Sequence, residues 1–485
     1  MGTERVKNAA VAALVAATLA GGVLMLVTEE HDAPPPAPGP AARARAAAVA
    51  GAPASRAELD ALIRDRTRWL RAHPGDEESW AALGTAYAER GAWWADWAAL
   101  ARAESALNRS LRERPAAAGN TEALLGLAVL AGARQDFATA RDAAVRAQQQ
   151  RPRRWTVYRA LIDAQSGVGA YKAVHGALDR LTALYQGSQS RALAAQVYRE
   201  RGWREDASAN AYDAVAAAAG TTERAVALRR LGDLAWERGE PREAVAGYDA
   251  ALRLAPELHP ARAGRARALA ALGRTDAALA EYRAALTRFP LPEYALEAGE
   301  LYESLGRHEE AEESYAAVLE TADRAERYGV DQTLTRGRYE ADHGDPDEAV
   351  RLLTDAWEAG RRSTQIADGL GWALYRAGRA DEALPYAKRA TKEGLRSPLF
   401  AYHRGQIERS LGLYGSARRN IGTALRVNPF FSPLLVPPAR SALASLGEPP
   451  GGGPRRMTGR EALYPAGRGR QGAAGSRWWG SGGAR

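Results

Sequence analysis

The feature that most constrains this 485-residue chain is a recurrence. A glycine with an alanine five residues later occurs at Gly202/Ala207, Gly239/Ala244, Gly273/Ala278, Gly306/Ala311, Gly344/Ala349, Gly378/Ala383 and Gly412/Ala417. The steps from 239 to 273, 344 to 378 and 378 to 412 are each 34 residues, and Pro256 and Pro290 share that spacing. A fixed period of this size marks a helical solenoid, in which each helix pair buries its apolar face only against its neighbours. Composition agrees: 109 alanines and 48 glycines make about a third of the chain, so its core must come from close helix contacts. The absence of cysteine excludes disulfides, thiol nucleophiles, zinc–thiolate sites and a lipid-bearing cysteine.

The residues inside the period resemble the tetratricopeptide repeat (TPR) family. Leu231-Gly232, Ala244, Tyr248, Ala251 and Pro256 fall on its signature positions, as do Ala266, Ala278, Tyr282, Ala285 and Pro290, and then Gly405, Ala417, Ala424 and Pro429. Two antiparallel helices cross closely there, and only a small side chain fits at repeat positions 8, 20 and 27. Over repeats 2–10 those 27 sites hold Ala or Gly in 23 cases, where composition alone would give about nine. The exceptions are Ile162, Val174 and Leu181 in repeat 3, and Val318 in repeat 7, so repeat 3 is expected to diverge. Repeat 1 begins near Ser79, with about seven extra residues around Trp93, Trp94 and Trp97 assigned to its second helix. A helix from Ser55 to about Ala72 is expected to cover the first face, and Ala439 to Leu446 to close the last. The resemblance implies an all-α, right-handed superhelical solenoid of about ten helix-turn-helix repeats over residues 55–446. Ala341-Asp342-His343-Gly344-Asp345, Asp368-Gly369-Leu370-Gly371-Trp372-Ala373-Leu374-Tyr375 and Tyr402-His403-Arg404-Gly405 look like a narrower group of bacterial repeat proteins.

The amino terminus reads as a membrane anchor, residues 1–28. Ala9 to Val27 is 19 residues without a charge, about 28 Å as a helix and close to the hydrocarbon thickness of a bilayer. Arg5 and Lys7 precede it and Glu29 and Glu30 follow, which orients the bulk of the chain to the extracytoplasmic side as a single-pass membrane protein. The competing reading, a signal sequence cleaved to give a secreted protein, has its best site at Thr18-Leu19-Ala20, inside the apolar run. Residues 29–54, rich in Pro and Ala, are read as a semi-extended linker.

The formal net charge of +8 does not indicate nucleic acid. Residues 450–485 hold seven arginines and one acid, Glu461, which leaves the remaining body near +2. The tail, residues 447–485, is rich in Gly, Pro and Arg and too poor in aliphatic side chains to form a core, so it is read as disordered, with adhesion to anionic lipid or polymer as the alternative.

Catalytic signatures are absent. No G-x-x-x-x-G-K-[ST], H-E-x-x-H or G-x-S-x-G occurs, and the G-x-G-x-x-G at Gly467, Gly469 and Gly472 has no strand or helix pattern beside it. No cofactor, catalytic residue or metal site is assigned. The resemblance instead implies a concave groove that binds a protein or peptide ligand. First-helix positions that line it in the family give Arg229, Asp233 and Trp236 in repeat 5 and Arg267 in repeat 6. Repeat 7 gives an acidic stripe of Glu293, Glu297, Glu300 and Glu303, and repeat 8 gives Arg338. Repeat 9 gives Asp368, Trp372 and Tyr375, and repeat 10 gives Tyr402, Gln406 and Arg409. Aromatics beside Asp and Arg are the types that dominate interface energetics, although Trp372, Tyr375 and Tyr402 can equally pack between repeats. The family's Asn-containing carboxylate clamp for chaperone tails is not implied, since Asp233 and Trp372 stand where Asn is required. The expected function is a non-catalytic interaction scaffold or assembly factor at the membrane. The alternatives are a hydrolase or metal-dependent activity centred on Asp368 and His403, and a cytoplasmic adaptor.

Overall fold

The computed structural model describes residues 39–49 and 51–447. Among them are 23 α-helices, one short 3-10 helix and no strand. Ten antiparallel helix pairs follow one another from Glu77–Trp94 and Trp97–Glu113 to Pro398–Ser410 and Tyr414–Val427. Side-chain caps set many of the starts: Ser55 with Glu58 in a capping box, and Asp76, Asn120, Ser363 and Ser397 as acceptors for backbone N–H groups.

The small-residue positions do what their size requires. All 27 are buried, from Ala128 to Ala424. Repeat 5 shows how. The Tyr248 ring, with no exposed surface, sits against Gly232 of its own repeat and Gly264 of the next, and a methyl at Gly232 would lie 2.8 Å from it. Its hydroxyl donates to Asp233 at 2.9 Å. Repeat 3 diverges through bulk: Ile162, Val174 and Leu181 join Leu161 and Leu178 in one aliphatic cluster.

Two expectations need correction. Pro40–Val49, assigned to an extended linker, is a helix: alanine is the best helix former and Pro40 opens the first turn. Ala44 and Ala54 are buried against Leu59, Leu62 and Leu70 of Arg56–Ala72, and Arg43 Nε donates to Glu58 at 2.8 Å. In repeat 1 the extra residues lengthen the first helix, Glu77–Trp94, and Trp97 begins the second. The closing helix is Val436–Ser445. The anticipated span at residues 9–27 and most of the tail lie outside the described residues, among which no helix is long and apolar enough to cross a membrane.

The superhelix winds tightly enough that successive turns touch. His259 of repeat 6 bonds through Nε2 to the Trp93 carbonyl of repeat 1 at 2.7 Å. The Asp331 N–H donates to the Arg134 carbonyl at 3.0 Å, and Tyr171 OH accepts from the Thr364 N–H at 3.0 Å. Asn428 Nδ2 donates to the Trp236 carbonyl at 2.7 Å. These partners are 166 to 197 residues apart, five to six repeats, so the first repeats meet those a turn later. The helix-end glycines divide along this seam. Gly169, Gly202 and Gly239 face Arg362, Gly394 and Asn428–Pro429 so closely that a methyl would collide, whereas Gly273, Gly306, Gly378 and Gly412 have open space.

Candidate functional site

Winding the first helices inward encloses a lumen. It is built from His259–Ala271, Pro292–Ser304, Thr333–His343, Thr364–Arg376 and Pro398–Ser410, and it holds a cavity of about 590 Å³. That volume lies in the range of small-ligand sites and of pockets for a few peptide residues. A segment absent from the expected site closes one side: Pro429, Phe430, Phe431, Val436, Pro437 and Arg440 line the cavity. Its sequence signal is two adjacent phenylalanines, in a chain that has only five, between two prolines and directly after the last repeat.

Six of the expected groove residues meet in this lumen: Trp236, Arg267, Glu300, Arg338, Asp368 and Trp372. Glu293 and Glu297 of the acidic stripe are there too, and Asp342 and His403 join them. Seven others lie elsewhere. Arg229 and Asp233 form an ion pair on repeat 5, with Asp233 also held by Tyr248. Glu303 accepts from Tyr315 OH at 2.6 Å and sits 3.4 Å from His343 Nδ1. Tyr375 is half-buried beside Trp372. Tyr402, 4% exposed, packs between Trp372 and Phe431. Gln406 is buried and accepts from Arg409 Nε at 3.0 Å, and Arg409 is exposed. None of these seven lines the cavity.

The lumen has a densely bonded wall and a sparsely bonded one, where Glu293 accepts only from Thr335 at 3.3 Å. On the first, Trp372 Nε1 donates to both Asp342 oxygens at 3.0 and 3.1 Å, and Arg376 pairs with Asp342. The Trp372 ring stacks on His403 with centroids 4.0 Å apart and planes 13° apart. His403 Nδ1 meets Asp368 at 3.0 Å. Trp372 is 5% exposed, so it is chiefly a packing residue whose ring edge reaches the cavity. In repeat 7, Tyr282 OH donates to Glu297 at 2.9 Å and Arg267 lies 3.4 Å from the same carboxylate. Burial works against the Arg267 charge, yet Glu297 holds that guanidinium above its ordinary value. Glu300 has no such support. Burial, then the Asp342 and Glu297 carboxylates, push it up to about 8. Burial also raises Glu293.

Asp368 and His403 thus converge, as acid–base chemistry would require. His403 Nε2, however, is buried with no hydrogen-bond partner, so no hydroxyl is poised on it as a nucleophile. Among the described residues no three His, Asp or Glu side chains are grouped as a metal ion would need.

Residues 263–326, 334–394 and 369–426 match the tetratricopeptide repeat family. None of the curated proteins matches this chain. Among solved structures, the chain is similar to a tetratricopeptide repeat protein from Parabacteroides merdae at 19% identity, covering 54% of this chain and 99% of that one, with a TM-score of 0.32. It is similar to the APC/C hetero-tetramer Cut9-Hcn1 at 14% identity, 76% of each chain and a TM-score of 0.39. It is similar to the human IFIT1 dimer with m7Gppp-AAAA at 16% identity, 72% of this chain and 80% of that one, with a TM-score of 0.44.

Proposed function

We propose that this chain, whose repeats 6–10 are tetratricopeptide repeats, is a membrane-anchored scaffold that binds an extended segment of a partner protein in the lumen of those repeats. Such repeats generally mediate protein–protein interaction without catalysis. The observation that carries the site is the sparsely bonded acidic wall: Glu293, held only at Oε1 by Thr335, and Glu300, with no bond to a described residue, line a cavity of about 590 Å³. Polar groups left unsatisfied in a buried place cost stability, and a ligand that pairs them recovers it. Anchoring through residues 9–27, with the solenoid on the extracytoplasmic side, is supported by the uncharged run and its flanking charges.

Site-specific photo-crosslinking tests this. A crosslinker at Ser304, on the lumen, should trap a discrete protein in source-cell membranes, whereas one at the exposed Tyr212 should not. Equal trapping from both positions would refute the lumen as the binding site. Carbonate extraction and protease protection of the same cells test the anchor and its orientation.

A further inference from the structure

The unused polar atoms of the lumen share one property. Glu300 has no hydrogen bond or ion pair with any described residue, and Glu293 Oε2 is buried without a partner. His403, 5% exposed, lines the same cavity with Nε2 unpartnered. Its Nδ1 faces the Asp368 carboxylate at 3.0 Å, which keeps a ring proton on that nitrogen. That property is the lack of a partner among the described residues. Five carboxyl groups and three guanidiniums line the cavity, and Arg376, outside the lining, pairs with Asp342. Of the three cations, Arg267 is held by Glu297 and Arg440 by the Pro429 carbonyl, so Arg338 alone offsets the acidic wall. The complement is a cation rich in donors, and an arginine side chain brings five N–H groups.

The chain carries such cations next to the site. The helix Val436–Ser445, whose first turns line the lumen, is followed at once by residues 448–485. That segment holds seven arginines against Glu448 and Glu461, and no lysine. Arg455 lies eight residues beyond Gly447, a reach of up to about 28 Å.

We propose that the arginine-rich segment 448–485 docks back into the lumen of repeats 6–10, presenting guanidinium groups to Glu293 and Glu300. This rests on the reading of the lumen as the partner's site, and it makes the tail an intramolecular competitor that a partner must displace. An arriving guanidinium favours the ionised carboxylate, so docking also releases a proton from Glu300 near neutral pH.

The test uses the full chain, which has no cysteine of its own. Ser304→Cys at the lumen and Ser481→Cys in the tail carry a donor and an acceptor dye. Energy transfer should be high in the parent and fall at least two-fold when the seven tail arginines become glutamine. Glu293→Gln with Glu300→Gln should lower it equally, and 1 M salt should lower it further. Arg338→Gln should raise it, a sign that misfolding cannot mimic. Transfer unaffected by all of these overturns the proposal. So does transfer that changes only when anionic vesicles bind the tail. If Ser304 still crosslinks a separate protein while transfer is unresponsive, the docked tail is refuted and the lumen site stands. If transfer responds as expected but nothing crosslinks, the partner reading fails instead.

Discussion

The seam between superhelical turns is best tested by one carbon atom placed in two positions. Gly202 and Gly306 both end a first helix in the left-handed region, at φ of 76° and 71°. Replacing either with alanine costs about 1–2 kcal/mol for that conformation alone. At Gly306 nothing lies within 4 Å of the added carbon, so the cost ends there. At Gly202 the carbon falls well inside contact distance of the Gly394 carbonyl oxygen, on the next turn. Overpacking against an immovable backbone adds about 1–3 kcal/mol, for a total of roughly 2–5 kcal/mol. The chain has a cheaper escape, which is to separate the turns. Gly202→Ala should therefore lower the denaturation midpoint more than Gly306→Ala does, widen the solution-scattering envelope and speed amide exchange around 392–396. Gly306→Ala should leave scattering and exchange there unchanged. Equal midpoints with identical scattering would refute the stacked turns and, with them, an enclosed lumen.

Three other outcomes follow from named contacts. Tyr248→Ala empties the space between Gly232 and Gly264 and should cost about 3–5 kcal/mol in urea unfolding, without altering the helical content at low denaturant. Asp368→Asn removes a charge-assisted hydrogen bond to His403 and should cost about 1–3 kcal/mol, with the His403 ring ¹⁵N shifts reporting loss of the fixed tautomer; unaltered shifts would contradict the pairing. Glu300 sits at about 8 in the fold against about 4.5 unfolded, so the folded state holds the extra proton between those values. Its contribution is fully present below 4.5 and lost as pH rises through 8. Glu300→Gln, a mimic of the neutral form, should thus gain stability relative to the parent from pH 6.5 to 8.5, and a difference that is flat with pH would be inconsistent with this environment.

The repeat was legible because its constraint is local. A helix crossing admits only small side chains at set positions, and each repeat states this again, from Ala140 and Ala147 to Ala417 and Ala424. Divergence of repeat 3 was equally local, since Ile162, Val174 and Leu181 break that pattern. The helix at Pro40–Val49 was obscured by the prolines just before it, although its own alanines favour a helix. What single-repeat reasoning could not supply is curvature. Whether Trp372 or Tyr402 faces solvent depends on how far successive first helices rotate, and small rotations accumulate over ten repeats. Gln406 thus ends buried while Glu300, at the equivalent position of repeat 7, lines the cavity. Asp342 and the Phe430–Phe431 segment fall outside the positional rule, and proximity alone brings them in.

The seam and the lumen are one mechanical system. Asn428, whose amide holds the Trp236 carbonyl across the turn, immediately precedes the Pro429–Phe431 segment that lines the cavity. Phe431 also lies against Tyr402, which lies against Trp372, so moving the segment disturbs the wall that fixes His403. Loosening the seam at Gly239, where Asn428 and Pro429 press on the turn, therefore loosens the cover of the site as well. A ligand too large to pass the covering segment has to separate these two turns first. Asn428→Ala should then speed capture of a large partner and leave that of a short arginine peptide unchanged, as measured by association rate at fixed salt. Equal acceleration of both would mean that the segment gates nothing and that the lumen is reached from its other end.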